Sequence, residues 1–178
     1  MNVICFGDSN TYGYDPRSYF GGRYEKEDRW VDLLAAQTGW TVRNCGANGR
    51  EIPRTAAPLP DGVDLLLVML GSNDLLQGWR PEEVSARMRR FLESLPLARE
   101  RILLIAPPPM TAGEWVQDAR LIGASAELAA CYRALAQQLG VRFADAGQWN
   151  VALSYDGVHF TAQGHRAFAG GLLRELNR

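Results

Sequence analysis

The feature that most limits how this chain can fold is an alternation. Short apolar runs, most of them stopped by glycine or proline, take turns with longer stretches of helical spacing. Residues 2–6 form the first run, ended by Gly7. Residues 41–45 form the second, ended by Gly46. Residues 63–70 are apolar almost throughout and end at Gly71, which suits a strand buried on both faces. Residues 102–106 run into Pro107, Pro108 and Pro109, and residues 141–144 make the last run. Strands separated by helices pair in parallel, and such a sheet is covered on both sides. The expected fold is therefore α/β: a three-layer α/β/α sandwich around a central parallel sheet of about five strands.

The helices carry their own punctuation. Residues 30–38 end at Gly39 and residues 119–139 at Gly140, both suited to a left-handed cap. Pro81, Glu82 and Glu83 open a helix expected to reach residue 95, with the acidic pair at the positive end of the helix dipole. Residues 162–176 form the last helix. No linker or repeat divides the chain, so residues 1–178 are expected to form one domain. In open α/β sheets, ligands bind where the strands end. The loops at 7–9, 46–49, 71–74 and 107–110 all follow strand ends, so all should meet at one rim.

Those loops hold the reactive side chains. Ser9 follows Gly7 and Asp8 directly after the first strand, where a hydroxyl can project from the sheet. Taken alone, Gly7-Asp8-Ser9-Asn10 is first of all a turn or a helix cap. His159 lies three residues after Asp156, close enough for the carboxylate to orient the imidazole. A serine needs such a base, and the chain has 2 histidines. The other, His165, falls inside the last helix and reads as a surface or packing residue. Asn73, in Gly71-Ser72-Asn73-Asp74, can offer a side-chain N–H to an oxyanion. Gly46 and Gly49 can each bring a backbone N–H close to a substrate. Each of these residues, alone, is equally at home in an ordinary loop.

As an ordered set they resemble the four sequence blocks of the SGNH (GDSL-like) hydrolase superfamily, nearest to its small bacterial arylesterase-like members. The blocks are Gly7-Asp8-Ser9-Asn10, Gly49, Gly71-Ser72-Asn73-Asp74 and Asp156-Gly157-Val158-His159. The resemblance covers the chain from Val3 to the last helix, and it implies a flavodoxin-like sheet and a serine ester hydrolase. It makes Ser9 the nucleophile, His159 the base and then the acid, and Asp156 its orienting partner. The oxyanion hole would come from Ser9, Gly49 and Asn73. Gly49 is preferred to Gly46 because the family glycine lies several residues after the strand-end asparagine. Asn10 stands where the family name has leucine. With Asp8, Trp79 and Val158 it is expected on the substrate side of the site.

Composition narrows the rest. Apolar residues make up 47%, charged residues 22%, and the formal net charge is -1, so neither nucleic acid nor an anionic membrane is an expected partner. No apolar run nears the ~18 residues of a spanning helix. The 3 cysteines lack the spacing of a disulfide framework or a zinc site. Cys5 and Cys45 are expected as buried thiols, and a cytoplasmic protein without a signal peptide is expected. No metal cluster and no nucleotide-binding glycine motif is present, so no cofactor is expected. The G-x-S-x-G elbow is also absent, since Thr11 stands where its last glycine would be.

Tyr12, Tyr14, Tyr19, Phe20 and Tyr24 fill the long segment after Ser9, and Leu75, Leu76, Trp79, Met110, Trp115, Trp149 and Tyr155 follow other strand ends. They suit a small acyl chain, an aryl ester or a sugar face, or else pack the loops. The arylesterase-like resemblance further implies homo-oligomers and acyl transfer to acceptors other than water. The expected activity is thus hydrolysis of small acyl or aryl esters through an acyl-enzyme. The alternatives are a carbohydrate acetylesterase or acyltransferase at the same site, and a non-catalytic flavodoxin-like binding domain.

Overall fold

The apolar run in the middle of the chain becomes the middle strand of the sheet. The computed structural model describes residues 1–177. β1 (Asn2–Gly7) leads into a single helical turn, α1 (Ser9–Tyr12). Then come α2 (Trp30–Thr38), β2 (Thr41–Gly46), β3 (Leu65–Met69), α3 (Ser72–Leu76), α4 (Pro81–Glu93) and β4 (Ile102–Ala106). The chain continues with α5 (Ala119–Leu139), β5 (Arg142–Asp145) and α6 (Ala162–Leu176). The 5 strands are all parallel, in the order β2-β1-β3-β4-β5. A three-layer α/β/α sandwich results, as the alternation demands.

Successive side chains of a strand point to opposite faces. Leu66 and Val68 therefore meet Val84, Met88 and Phe91 of α4 and Leu128 and Tyr132 of α5. Leu65, Leu67 and Met69 meet Trp30 and Leu34 of α2 and Phe168 and Leu172 of α6. Every residue of β3 and β4 is buried, which is why these strands read as unbroken apolar runs. α4 starts as its sequence signals require, with Pro81 in the first turn and the Glu83 carboxylate accepting the Arg80 N–H at 2.9 Å.

Register sets the rim. Gly7 pairs with Gly46 on one side and with Met69 on the other. Ala106 pairs with Asp145. The strand order reverses between β1 and β3, so a crevice opens there at the carboxyl ends. Ser9 enters from one side of that crevice, and Ser72 and Asn73 from the other.

Boundaries differ from the sequence reading in a few places. β3 begins at Leu65 rather than residue 63, because exposed Asp64 takes the Asn2 N–H at the start of β1 with its carboxylate, at 2.7 Å. α4 stops at Glu93, where the Ser94 hydroxyl turns back to the Phe91 carbonyl at 2.7 Å. β5 is shifted to start at Arg142, since the Val141 N–H still closes the end of α5 on Ala136. Residues 72–74, read as part of a loop, instead open the short helix α3. Cys45 is only half-buried, while Cys5 is fully buried as expected.

Gly46 shows how tightly the rim is packed. A Cβ there would lie 2.1 Å from the Tyr12 nitrogen and 2.6 Å from the Thr11 carbonyl carbon, both backbone atoms of α1. Gly46→Ala is expected to push α1 away and to destabilise the fold by about 1–3 kcal/mol. Equilibrium urea unfolding measures this, and an unchanged midpoint would contradict the packing argument.

Candidate active site

α1 is short because it must deliver a side chain rather than span a layer. Its cap is Asp8, whose carboxylate accepts the Asn10 N–H at 3.0 Å. Ser9 is the first helical residue, so its own N–H has no acceptor within the helix. The Ser9 Oγ lies 3.0 Å from His159 Nε2. His159 Nδ1 lies 2.7 Å from Asp156 Oδ2. All three residues are buried, at 5%, 2% and 1% exposure.

Asp156 is held by its own loop. Its Oδ1 accepts the backbone N–H of Val158 and of His159, each at 2.9 Å. Burial pushes this carboxyl up, but the His159 side chain and those two N–H groups outweigh it and leave the pKa below the ordinary value. Asp156 is therefore ionised at neutral pH, and it fixes the imidazole so that Nε2 faces Ser9. His165 is a packing residue. It is fully buried beside Tyr24 and Phe160, and its Nδ1 faces the Trp30 N–H at 3.4 Å. Burial lowers its pKa to about 3, so it stays neutral.

Across the crevice, α3 presents Asn73. Its Nδ2 donates to the Arg50 carbonyl at 3.1 Å, which occupies one of two amide hydrogens and leaves the other for a ligand. Gly49 has φ +69, and nothing lies within 4 Å of where its Cβ would be. Its N–H has no partner among the described residues. The Gly46 N–H, by contrast, is bound to Asn44 Oδ1 at 2.9 Å, and α1 covers the residue. Of the two glycines, Gly49 is the one with a free N–H and open space.

The segment that carries Gly49 is clamped from below. Asp74, with no exposed surface, accepts the Ile52 N–H at 3.1 Å and pairs with Arg87 Nε at 3.1 Å. Arg87 also reaches the Ile52 carbonyl at 3.2 Å and the Glu51 carboxylate at 3.1 Å. Burial raises the Asp74 pKa, and the Ile52 N–H and Arg87 oppose it. The last residue of the Gly71-Ser72-Asn73-Asp74 block thus holds the glycine segment in place.

A hydroxyl, an imidazole and a carboxylate in line, at the same rim of the sheet as unpaired N–H donors, suit nucleophilic acyl chemistry. Comparison with known proteins agrees. The family model described as GDSL-like lipase/acylhydrolase matches residues 5–167. The chain belongs to that family. A carbohydrate acetylesterase family member from Sinorhizobium meliloti has 29% identity and a TM-score of 0.83, covering 99% of this chain and 97% of its own. A provisionally assigned arylesterase from Agrobacterium tumefaciens str. C58 has 32% identity and a TM-score of 0.81, covering 99% and 98%. The aryl esterase of M. smegmatis has 25% identity and a TM-score of 0.83, covering 99% and 98%. No curated protein shows significant similarity to the chain.

Within this GDSL-like hydrolase, three residues expected to face substrate are used otherwise. Asp8 is 2% exposed and caps α1. The Val158 side chain packs into the core. Asn10 is 4% exposed, its Nδ2 donating to the Val158 carbonyl at 3.1 Å and its Oδ1 accepting the Phe160 N–H at 2.8 Å. A residue in a parallel ladder bonds in this way to the neighbours on either side of its partner. The Asn10 amide thus pairs with the chain around His159 as a strand would. Trp79 remains open, at 43% exposure.

The aromatic residues divide as well. Tyr14 and Trp115 flank the His159 ring, with centroids 4.7 and 5.0 Å away. Tyr155 donates its hydroxyl to the Pro16 carbonyl at 2.8 Å. Tyr24, Leu75, Met110 and Trp149 are buried in the body, because they fill space under the loops rather than the rim. The clamp by Arg87 was not visible in the sequence. It lies on an ordinary-looking charged face of α4, and no local motif marks it. Among the described residues, no group of three or more His, Cys, Asp or Glu side chains could hold a metal ion. No helix among them is long and apolar enough to cross a membrane.

Replacing Asn10 with leucine strands two buried backbone groups, at about 1–3 kcal/mol each. Asn10→Leu is expected to lower stability by about 2–6 kcal/mol and to depress kcat more than it alters KM. Thermal unfolding together with steady-state kinetics measures both, and wild-type values for both would remove the role given to Asn10. Burial raises the Asp8 pKa from 3.8 to about 6, against the Asn10 N–H and His159. The folded chain then keeps a proton that the unfolded chain releases, so stability falls between about pH 4 and 6. Asp8→Asn keeps the cap and removes this loss. Its stability relative to wild type should rise across that window in urea titrations, and a pH-independent difference would contradict it.

Proposed function

We propose that the chain is a serine esterase that cleaves small acyl or aryl esters through an acyl-enzyme on Ser9. The observation that carries this reading is the continuous chain of contacts from Ser9 Oγ through His159 to Asp156, at 3.0 and 2.7 Å. His159 Nε2 takes the Ser9 proton as Oγ attacks the ester carbonyl carbon. The carbonyl oxygen becomes an oxyanion, facing the Ser9 and Gly49 N–H groups and the free Asn73 amide hydrogen. Asp156 offsets the charge on the imidazolium, and the tilted Tyr14 ring and the edge-on Trp115 ring shield it. His159 then returns the proton to the leaving oxygen. Water, activated by the same imidazole, attacks the acyl carbon and frees Ser9.

A second reading, carbohydrate acetylesterase or acyltransferase at this site, is favoured by Trp115. The ring is 52% exposed beside His159, and such a surface can stack on a sugar face or hold an acceptor alcohol. A panel of acetylated sugars against aryl acetates separates the two, with alcohol added to detect transfer.

The test of the mechanism is hydrolysis of p-nitrophenyl acetate, butyrate and octanoate by wild type, Ser9→Ala and Asn73→Ala. Ser9→Ala is expected to lose turnover, and Asn73→Ala to lose about 10²–10³ in kcat while staying folded. Full activity in Ser9→Ala would sink the mechanism. No wild-type activity on any ester would favour the non-catalytic binding domain.

A further inference from the structure

Beside the oxyanion segment lies a cleft of about 540 Å³ that the chemistry above does not use. Ile52 and Arg54 form one wall, Trp79, Glu83, Arg87 and Arg90 the other. Ile52 follows Gly49 by three residues, so the cleft starts within about 11 Å of the oxyanion glycine. A group joined to an ester by several bonds reaches that far.

The cleft is cationic for a specific reason. Arg87 is already matched by Asp74 and Glu51. Its guanidinium also stacks over the Trp79 ring at 4.8 Å, which stiffens that wall. The Glu83 charge is matched by Arg80, whose N–H and guanidinium it accepts at 2.9 and 3.4 Å. Arg54 and Arg90 are left with no acidic partner among the described residues. Two unmatched guanidinium groups thus face one concavity in a chain whose net charge is -1. Guanidinium forks suit planar, bidentate oxyanions.

We propose that this cleft seats an anionic group, a carboxylate or phosphate, carried by the ester that the site cleaves. The proposal rests on the esterase reading and adds a substrate class to it: acidic esters. Charge at the cleft draws such substrates toward the rim within a Debye length of about 8 Å at physiological salt. The anion then stays anchored while Ser9 attacks.

Two matched pairs of esters test this. Methyl 4-acetoxybenzoate against 4-acetoxybenzoate places the charge on the leaving group. 4-Nitrophenyl hexanoate against the 4-nitrophenyl monoester of adipic acid places it on the acyl chain. The readout is the ratio of kcat/KM for the charged ester to that for its neutral match. In Arg54→Gln/Arg90→Gln that ratio is expected to fall about 3- to 10-fold for at least one pair, and the fall should shrink in high salt. The pair that responds tells which side of the ester the cleft receives. An unchanged ratio in both pairs, or equal losses on charged and neutral esters, overturns the proposal. Calorimetric binding of adipic acid monoanilide and of hexananilide needs no turnover. Preference for the monoanilide that disappears in the double variant supports the cleft even if every ester resists cleavage, and equal binding overturns it where the leaving-group pair is also unchanged.

Discussion

The site depends on the register of β1. Gly7, its last residue, pairs with Gly46 and with Met69, so three strand ends stop at one level. A side chain at Gly7 would strike the Thr11 side chain at 2.0 Å and the Met69 carbonyl at 2.8 Å. The glycine is therefore the reason α1 can fold back over the sheet. Moving β1 by one residue would also exchange the faces of every side chain on it. The switch in strand order beside β1 then leaves a crevice, with Ser9 following the strand on one side and Asn73 the strand on the other.

Buried carboxylates do the positioning around that crevice, and each does it through backbone N–H groups. Asp8 caps the turn that holds Ser9, Asp74 holds Ile52, and Asp156 holds Val158 and His159. Their ionisation diverges because their partners differ. Asp156 has a histidine and two N–H donors, which keep it below the ordinary carboxylate range. Asp8 has one N–H and deep burial, so it rises to about 6. Asn10 does by hydrogen bonding alone what these do with charge, joining segments 148 and 150 residues apart in sequence.

Much of this was legible because local chemistry and global fold agree. The bounds of α2, α5 and α6 follow from helical spacing and, for α2 and α5, from glycine caps at Gly39 and Gly140. β3 and β4 were legible because burial on both faces leaves no polar position in the run. The short helices α1 and α3 were harder, since four or five residues give no periodicity to read. The candidate residues Ser9, Asn73, Asp156 and His159 were found by order and loop position. Of Gly46 and Gly49, α1 covers the first and leaves the second open, which no local sequence feature reveals.

The sequence by itself determined the layer architecture, the carboxyl end of each strand to within one residue, and the residue types at the rim. Those depend on apolar periodicity and on glycine and proline, which act within a few residues. Only the tertiary structure decided where side chains aim. Asn10 turned from the substrate wall to the backbone around His159, and Asp8 and Val158 turned inward. Arg87 became the clamp on Ile52, while Arg54 and Arg90 were left facing an open cleft. A side chain's partner is set by whatever distant segment packs against it, and such contacts leave no trace in neighbouring residues.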